Sequence, residues 1–134
     1  MELDIDYTDI NKFELVWRWN QKSHCLMPHE DLKTIKPFSE KSAKMLHLLK
    51  PSFSAENQEL ECKETPIDFL SKNLSNEIVY IFWSSQTAVE TTTETLLKYF
   101  SDFCYPSSDD VDIWPVSKSW LLQYHHYEVL TLAK

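Results

Sequence analysis

None of the 134 residues is glycine, and this absence constrains the chain more than anything it contains. Average usage of about 7% would place about nine glycines in it. Glycine alone enters the left-handed backbone region at no steric cost, so the turns here fall to Asn, Asp, Ser and Pro. Whole function classes go with it. Neither the Walker-type phosphate loop nor the G-x-G-x-x-G dinucleotide turn exists without glycine. The tight turn that presents a nucleophilic Ser or Cys beside an oxyanion hole also usually recruits it.

The length is that of one domain, read as residues 1–134 with 1–8 as a loosely held arm. Apolar residues make up 43% and charged residues 25%, the balance of a chain that folds around a core. The cysteines, Cys25, Cys62 and Cys104, form no C-x-x-C pair, so neither a zinc framework nor a dithiol redox site is expected. Met1-Glu2-Leu3-Asp4-Ile5-Asp6 is acidic where a signal peptide is basic. No apolar run reaches the ~18 residues of a membrane span. These features predict a soluble, cytoplasmic protein with reduced thiols.

Charge is unevenly placed. Residues 1–50 carry eight basic and eight acidic side chains, whereas residues 51–134 carry five and thirteen, so the net −8 lies wholly in the second stretch. Such a field repels nucleic acid and anionic membranes and attracts basic partners. Arg18 is the single arginine against twelve lysines, which leaves little for bidentate phosphate recognition.

Periodicity places the elements. Phe13, Leu15, Trp17 and Trp19 alternate with polar or smaller residues, predicting a strand over 12–20. Met27-Pro28-His29-Glu30-Asp31-Leu32 predicts a short helix, and Ser39 caps a second one to about Leu49. Residues 52–64 read as an exposed acidic loop, and Thr65-Pro66-Ile67-Asp68 opens a helix to about Leu74. Glu77 to Ser84 is the strongest strand, apolar on both faces and therefore central. Thr87-Ala88-Val89-Glu90 has the form of a capping box. The stripe Val89, Thr93, Leu96, Leu97, Phe100 and Phe103 then predicts one long helix over 87–103, with Glu94 and Lys98 paired outside. Strands are expected over 111–115, 119–124 and 128–133, the first at an edge or ending at Pro115. The fold class is α+β: an antiparallel sheet of four to five strands packed against one main helix, with shorter N-terminal helices.

Few groups promise chemistry. On a strand, adjacent His125 and His126 would point to opposite faces, so they are not expected to share an ion. His24, Cys25 and His29 lie close in sequence but lack a fourth ligand at a recognised spacing. The acids Asp109, Asp110 and Asp112 lack the glycine and terminal Glu of a calcium loop. No catalytic, metal or cofactor-binding residue is therefore expected. The alternatives are a small hydrolase using His24, His29 or the Ser84-Ser85 turn, and an interaction subunit unrelated to toxins. Aromatics crowd the C-terminal segment, where Trp114, Trp120, Tyr124 and Tyr127 stand beside acids, a composition shared by binding surfaces and by ordinary sheets.

Asp112-Ile113-Trp114-Pro115-Val116-Ser117-Lys118-Ser119-Trp120, a W-P-x-S-x-x-W pattern leading into Tyr124-His125-His126-Tyr127-Glu128, resembles endings found among small acidic bacterial immunity proteins. Met27 to Leu32 with Ile35-Lys36-Pro37 adds to the likeness, which covers about a quarter of the chain. The resemblance implies a protein that neutralises a cognate toxin, of nuclease type, by occluding its basic active site. The charged rim would be Glu56, Glu59, Glu61, Asp109, Asp110 and Asp112, with Trp114 and Tyr127 as anchors.

Overall fold

The computed structural model describes residues 5–19, 27–53 and 59–134. Its strands are β1 (Lys36–Pro37), β2 (Glu59–Glu61), β3 (Ile78–Ser84), β4 (Thr87–Thr92), β5 (Val111–Pro115), β6 (Leu121–His125) and β7 (Val129–Ala133). They form one sheet in the order β1-β4-β3-β5-β6-β7-β2, and every neighbouring pair is antiparallel. The helices are α1 (His29–Leu32), α2 (Glu40–His47), α3 (Pro66–Asn73), α4 (Thr93–Lys98) and α5 (Phe100–Phe103). The architecture is thus α+β on an antiparallel sheet. Three of its seven strands are beyond those expected: β4, which the pattern gave to a helix, and β1 and β2, which at two and three residues are too short to leave a periodic signal.

β3 is interior because its side chains are apolar on both faces. Val79 and Ile81 point to one side, where Ile113, Leu122, Leu130 and Leu132 continue the layer. Against them pack Phe69 and Leu70 of α3, Leu96 of α4, Phe100 and Phe103 of α5, and Phe13 and Trp19. Tyr80 and Phe82 point to the other side, where Ala88, Trp114 and Leu121 meet Phe38 and Ala43 and Leu46 of α2. Each fully buried aliphatic in these layers contributes about 1.5–3 kcal/mol relative to exposure. Local signals set the helix starts: the Ser39 hydroxyl accepts the Ser42 N–H at 3.2 Å and Thr65 accepts the Asp68 N–H at 3.3 Å.

Several expectations fail, each for a physical reason. The alternation over 12–20 is not a strand. Its described part forms 3-10 turns at Ile10–Lys12 and Val16–Arg18, because Arg18 is drawn into the interior and breaks the two-residue period. The long helix over 87–103 is instead β4 followed by α4 and α5. Thr87, Val89, Thr91 and Thr92 are β-branched and pair along β3, and the cap falls on Thr92, whose hydroxyl accepts the Thr95 N–H at 3.2 Å. The expected Glu94–Lys98 pair is absent among the described contacts. Lys98 Nζ reaches Asp31 at 2.9 Å, and the Glu94 N–H donates to Asn76.

β5 ends at Pro115 as expected, yet it lies between β3 and β6 and is not an edge. The loop over 52–64 contains β2. Residues 5–8 of the expected arm are held: the Thr8 N–H donates to Pro37 at 2.8 Å and the Asp6 N–H to Ser42 Oγ at 2.7 Å. No helix among the described residues is long and apolar enough to cross a membrane.

Candidate docking face

Cross-strand partners in an antiparallel sheet share a face, so register maps the second face directly. One row across it reads Glu61, Thr131, Gln123, Asp112, Phe82, Ala88. α2 covers the Phe82–Ala88 end. Lys50, just beyond α2, reaches Asp112 Oδ2 at 2.6 Å, and Gln123 Nε2 donates to Asp112 Oδ1 at 3.1 Å. Past that point the face opens: Glu61, Gln123, His125 and Val129 are exposed and Thr131 is half-buried. A shallow depression of about 270 Å³ lies there, with Asp110, Asp112, Gln123, His125, Val129 and Thr131 on its walls.

The β6–β7 hairpin borders this opening, and its turn decides where the histidines go. His125 pairs with Val129, leaving three loop residues. The Glu128 N–H donates to the His125 carbonyl at 2.8 Å, and Glu128 takes a positive φ of 65°. This is the three-residue hairpin built from a tight turn and one left-handed residue. It takes His126 out of the ladder, so the opposite-face expectation for the pair fails. The rings stack with centroids 4.1 Å apart, and Tyr127 packs on both at 4.9 and 4.2 Å. Asp110 sits beside them. Its Oδ1 accepts the His126 backbone N–H at 3.0 Å and lies 2.9 Å from His126 Nδ1 and 3.9 Å from His125 Nε2. The hydrogen bond from the His126 ring, then that from its backbone, holds the Asp110 carboxyl below the usual carboxylate range.

Of the eight residues expected to bind a partner, four stand on or beside this face. Glu61 and Asp110 are exposed, Asp112 is half-buried in its bonds to Lys50 and Gln123, and Tyr127 is 76% exposed. Two are corrected. Asp109 is 8% exposed and engages Arg18 and the Tyr105 N–H, so it belongs to the interior and not to a rim. Trp114 is 1% exposed, stacked on Phe82 at 4.5 Å, because it stands at the end of this face that α2 covers. Glu56 lies outside the described residues, and Glu59 is described only in its backbone, opposite Ala133. Trp120 and Tyr124 are buried as well, which leaves Tyr127 as the exposed member of the C-terminal aromatic group.

The three neighbouring aspartates diverge: Asp109 to Arg18, Asp110 to His126, Asp112 to Lys50. They do not gather for calcium. His24 and Cys25 lie outside the described residues. Ser84 Oγ accepts the Gln86 N–H at 3.2 Å, and no described histidine hydrogen-bonds Ser84 or Ser85. The His125–His126 pair is the element that residue spacing missed. A three-residue count between His125 and Val129, taken with the preference for tight hairpins, was the signal that could have found it. No protein-family model, curated protein or solved structure matches this chain.

Proposed function

We propose that the chain acts by docking a basic protein on the open half of its second sheet face, as an immunity protein that occludes the active site of a cognate toxin. The observation that carries this reading is the row Glu61–Thr131–Gln123, which no described helix covers, with Asp110 and Tyr127 at its border. A sheet face normally hides under another layer, and here α2 ends at His47 and the segment after it reaches only as far as Asp112, through Lys50. Among the described residues, what remains outside is acidic and carries one large exposed aromatic, Tyr127. Carboxylates steer a cationic surface into register, and a tyrosine at the border supplies rigid contact area. The chemistry of the occupant follows from charge: it is a protein with a cationic cleft, as in a nuclease that grips phosphates. Inhibition is steric, and this chain contributes no catalytic group in this reading.

The test is calorimetric binding to the toxin encoded beside this gene, at low and at physiological salt. Glu61→Lys is expected to weaken binding about tenfold and to flatten its salt dependence, and Tyr127→Ala to weaken it comparably at both salts. Unchanged affinity and unchanged salt dependence in the double variant would remove this face as the docking site.

A further inference from the structure

We propose that Asp110, His125 and His126 form a surface site for a divalent transition-metal ion of the zinc class. The three side chains come from two places in the chain, the residue before β5 and the β6–β7 hairpin, and the fold brings them together. One ligand atom from each lies within 4.8 Å of the others. Ligands held tetrahedrally at about 2.0–2.1 Å from zinc stand about 3.3 Å from one another. The Asp110 Oδ1 distances of 2.9 Å to His126 Nδ1 and 3.9 Å to His125 Nε2 bracket that value.

The approach is built in by the turn. Glu128 in the left-handed region closes the hairpin over His125, and this lays the His126 ring alongside the His125 ring. Tyr127 packs against both and limits their rotamers. The His126 backbone N–H donates to the same Asp110 Oδ1 and fixes the position of the carboxylate, as supporting hydrogen bonds do for ligating carboxylates. Two imidazoles and one carboxylate suit zinc, copper, nickel or cobalt and not magnesium or calcium, which take oxygen ligands. Three protein ligands leave a fourth position for water or for a donor from a docked protein. The site shares Asp110 and Tyr127 with the docking face but is argued from the geometry of its own three ligands, so Glu61→Lys, which tests docking, should leave metal binding unchanged.

The experiment uses the tag-free, chelator-treated full chain titrated with Co²⁺, followed by visible absorption, with Zn²⁺ competition by calorimetry. One ion per chain is expected, with the absorption of a low-coordinate cobalt centre and displacement by Zn²⁺. Asp110→Asn, His125→Ala and His126→Ala should each weaken binding about tenfold or more, whereas His29→Ala and His47→Ala should leave it unchanged. Circular dichroism checks that each variant is folded. On the unaltered protein, paramagnetic broadening of amide resonances should centre on Asp110 and residues 125–128. Binding that survives the His125→Ala/His126→Ala double change, or broadening centred elsewhere, overturns the assignment.

Discussion

Arg18 and Asp109, ninety-one positions apart, are joined by a two-pronged ion pair inside the protein. Nη1 donates to Oδ2 at 2.7 Å and Nη2 to Oδ1 at 3.1 Å, with the side chains only 6% and 10% exposed. The guanidinium also lies 4.0 Å from the Tyr105 ring centroid, with Trp17 and Trp83 at 5.4 and 5.8 Å. The one arginine of the chain therefore fastens the N-terminal 3-10 segment to the turn before β5. Its fork and flat cation fit a carboxylate edge and aromatic faces together, which a lysine ammonium would not.

Removing one partner leaves the other charge buried, and such losses cost about 3–5 kcal/mol. Asp109→Asn or Arg18→Met should accordingly lower the urea midpoint sharply. The double change Arg18→Met/Asp109→Leu, which removes both charges, should recover much of the loss. Equilibrium unfolding by fluorescence measures all three. A single-variant loss below about 1 kcal/mol, the scale of surface pairs, would place the ion pair in solvent.

The same pair shows where sequence reading stops. Elements set by local chemistry were legible: β3 from its β-branched and aromatic run, α2 and α3 from Ser39 and Thr65, and β5 to β7 from alternating patterns. Elements set by distant partners were not. Arg18 is polar in every local scale, and nothing near it announces Asp109. Thr87 to Glu90 satisfies a capping box as well as any helix start, and only pairing with β3 makes it a strand. The acidic excess over 51–134 pointed to Glu61, Asp110 and Asp112, while charge alone does not separate them from buried Asp109. Aromatics misled for the same reason, since Trp114 lies under α2 and Tyr127 on the β6–β7 hairpin beyond it, and the two differ in cover and not in kind.

Asp31 gives a pH test with a definite sign. The Tyr99 hydroxyl, then Lys98 Nζ, donate to its carboxylate and hold the group below its ordinary value of 3.8. A carboxyl depressed on folding contributes stability that is fully present above its unfolded pKa and is lost as pH falls through the folded one. Asp31→Asn should therefore be less stable than the unaltered chain at neutral pH, with the difference closing as pH falls through the depressed folded-state value of the carboxyl. Urea midpoints across that range measure it. A gap that stays constant with pH would mean that the carboxylate's charge is not what α1 and α4 share.

A glycine-free chain must place side-chain-bearing residues where glycine would sit, and Ser107, Lys118 and Glu128 take φ values of 70°, 59° and 65°. Glu128 is the most telling of them. Its side chain is exposed and its backbone closes the hairpin that aligns His125, His126 and Tyr127. A Cβ in this region crowds the neighbouring carbonyl, at a cost of roughly 1–2 kcal/mol that glycine escapes. Glycine returns part of that gain through its greater freedom when unfolded. Glu128→Gly should therefore stabilise the fold by about 0.5–1 kcal/mol, and Glu128→Val should destabilise it by more than that. Thermal unfolding of the pair measures both, and the hairpin register should survive in the glycine variant, seen as unchanged amide exchange across β6 and β7. A glycine variant that melts lower than the unaltered chain would show that the turn is not held in the left-handed region in solution.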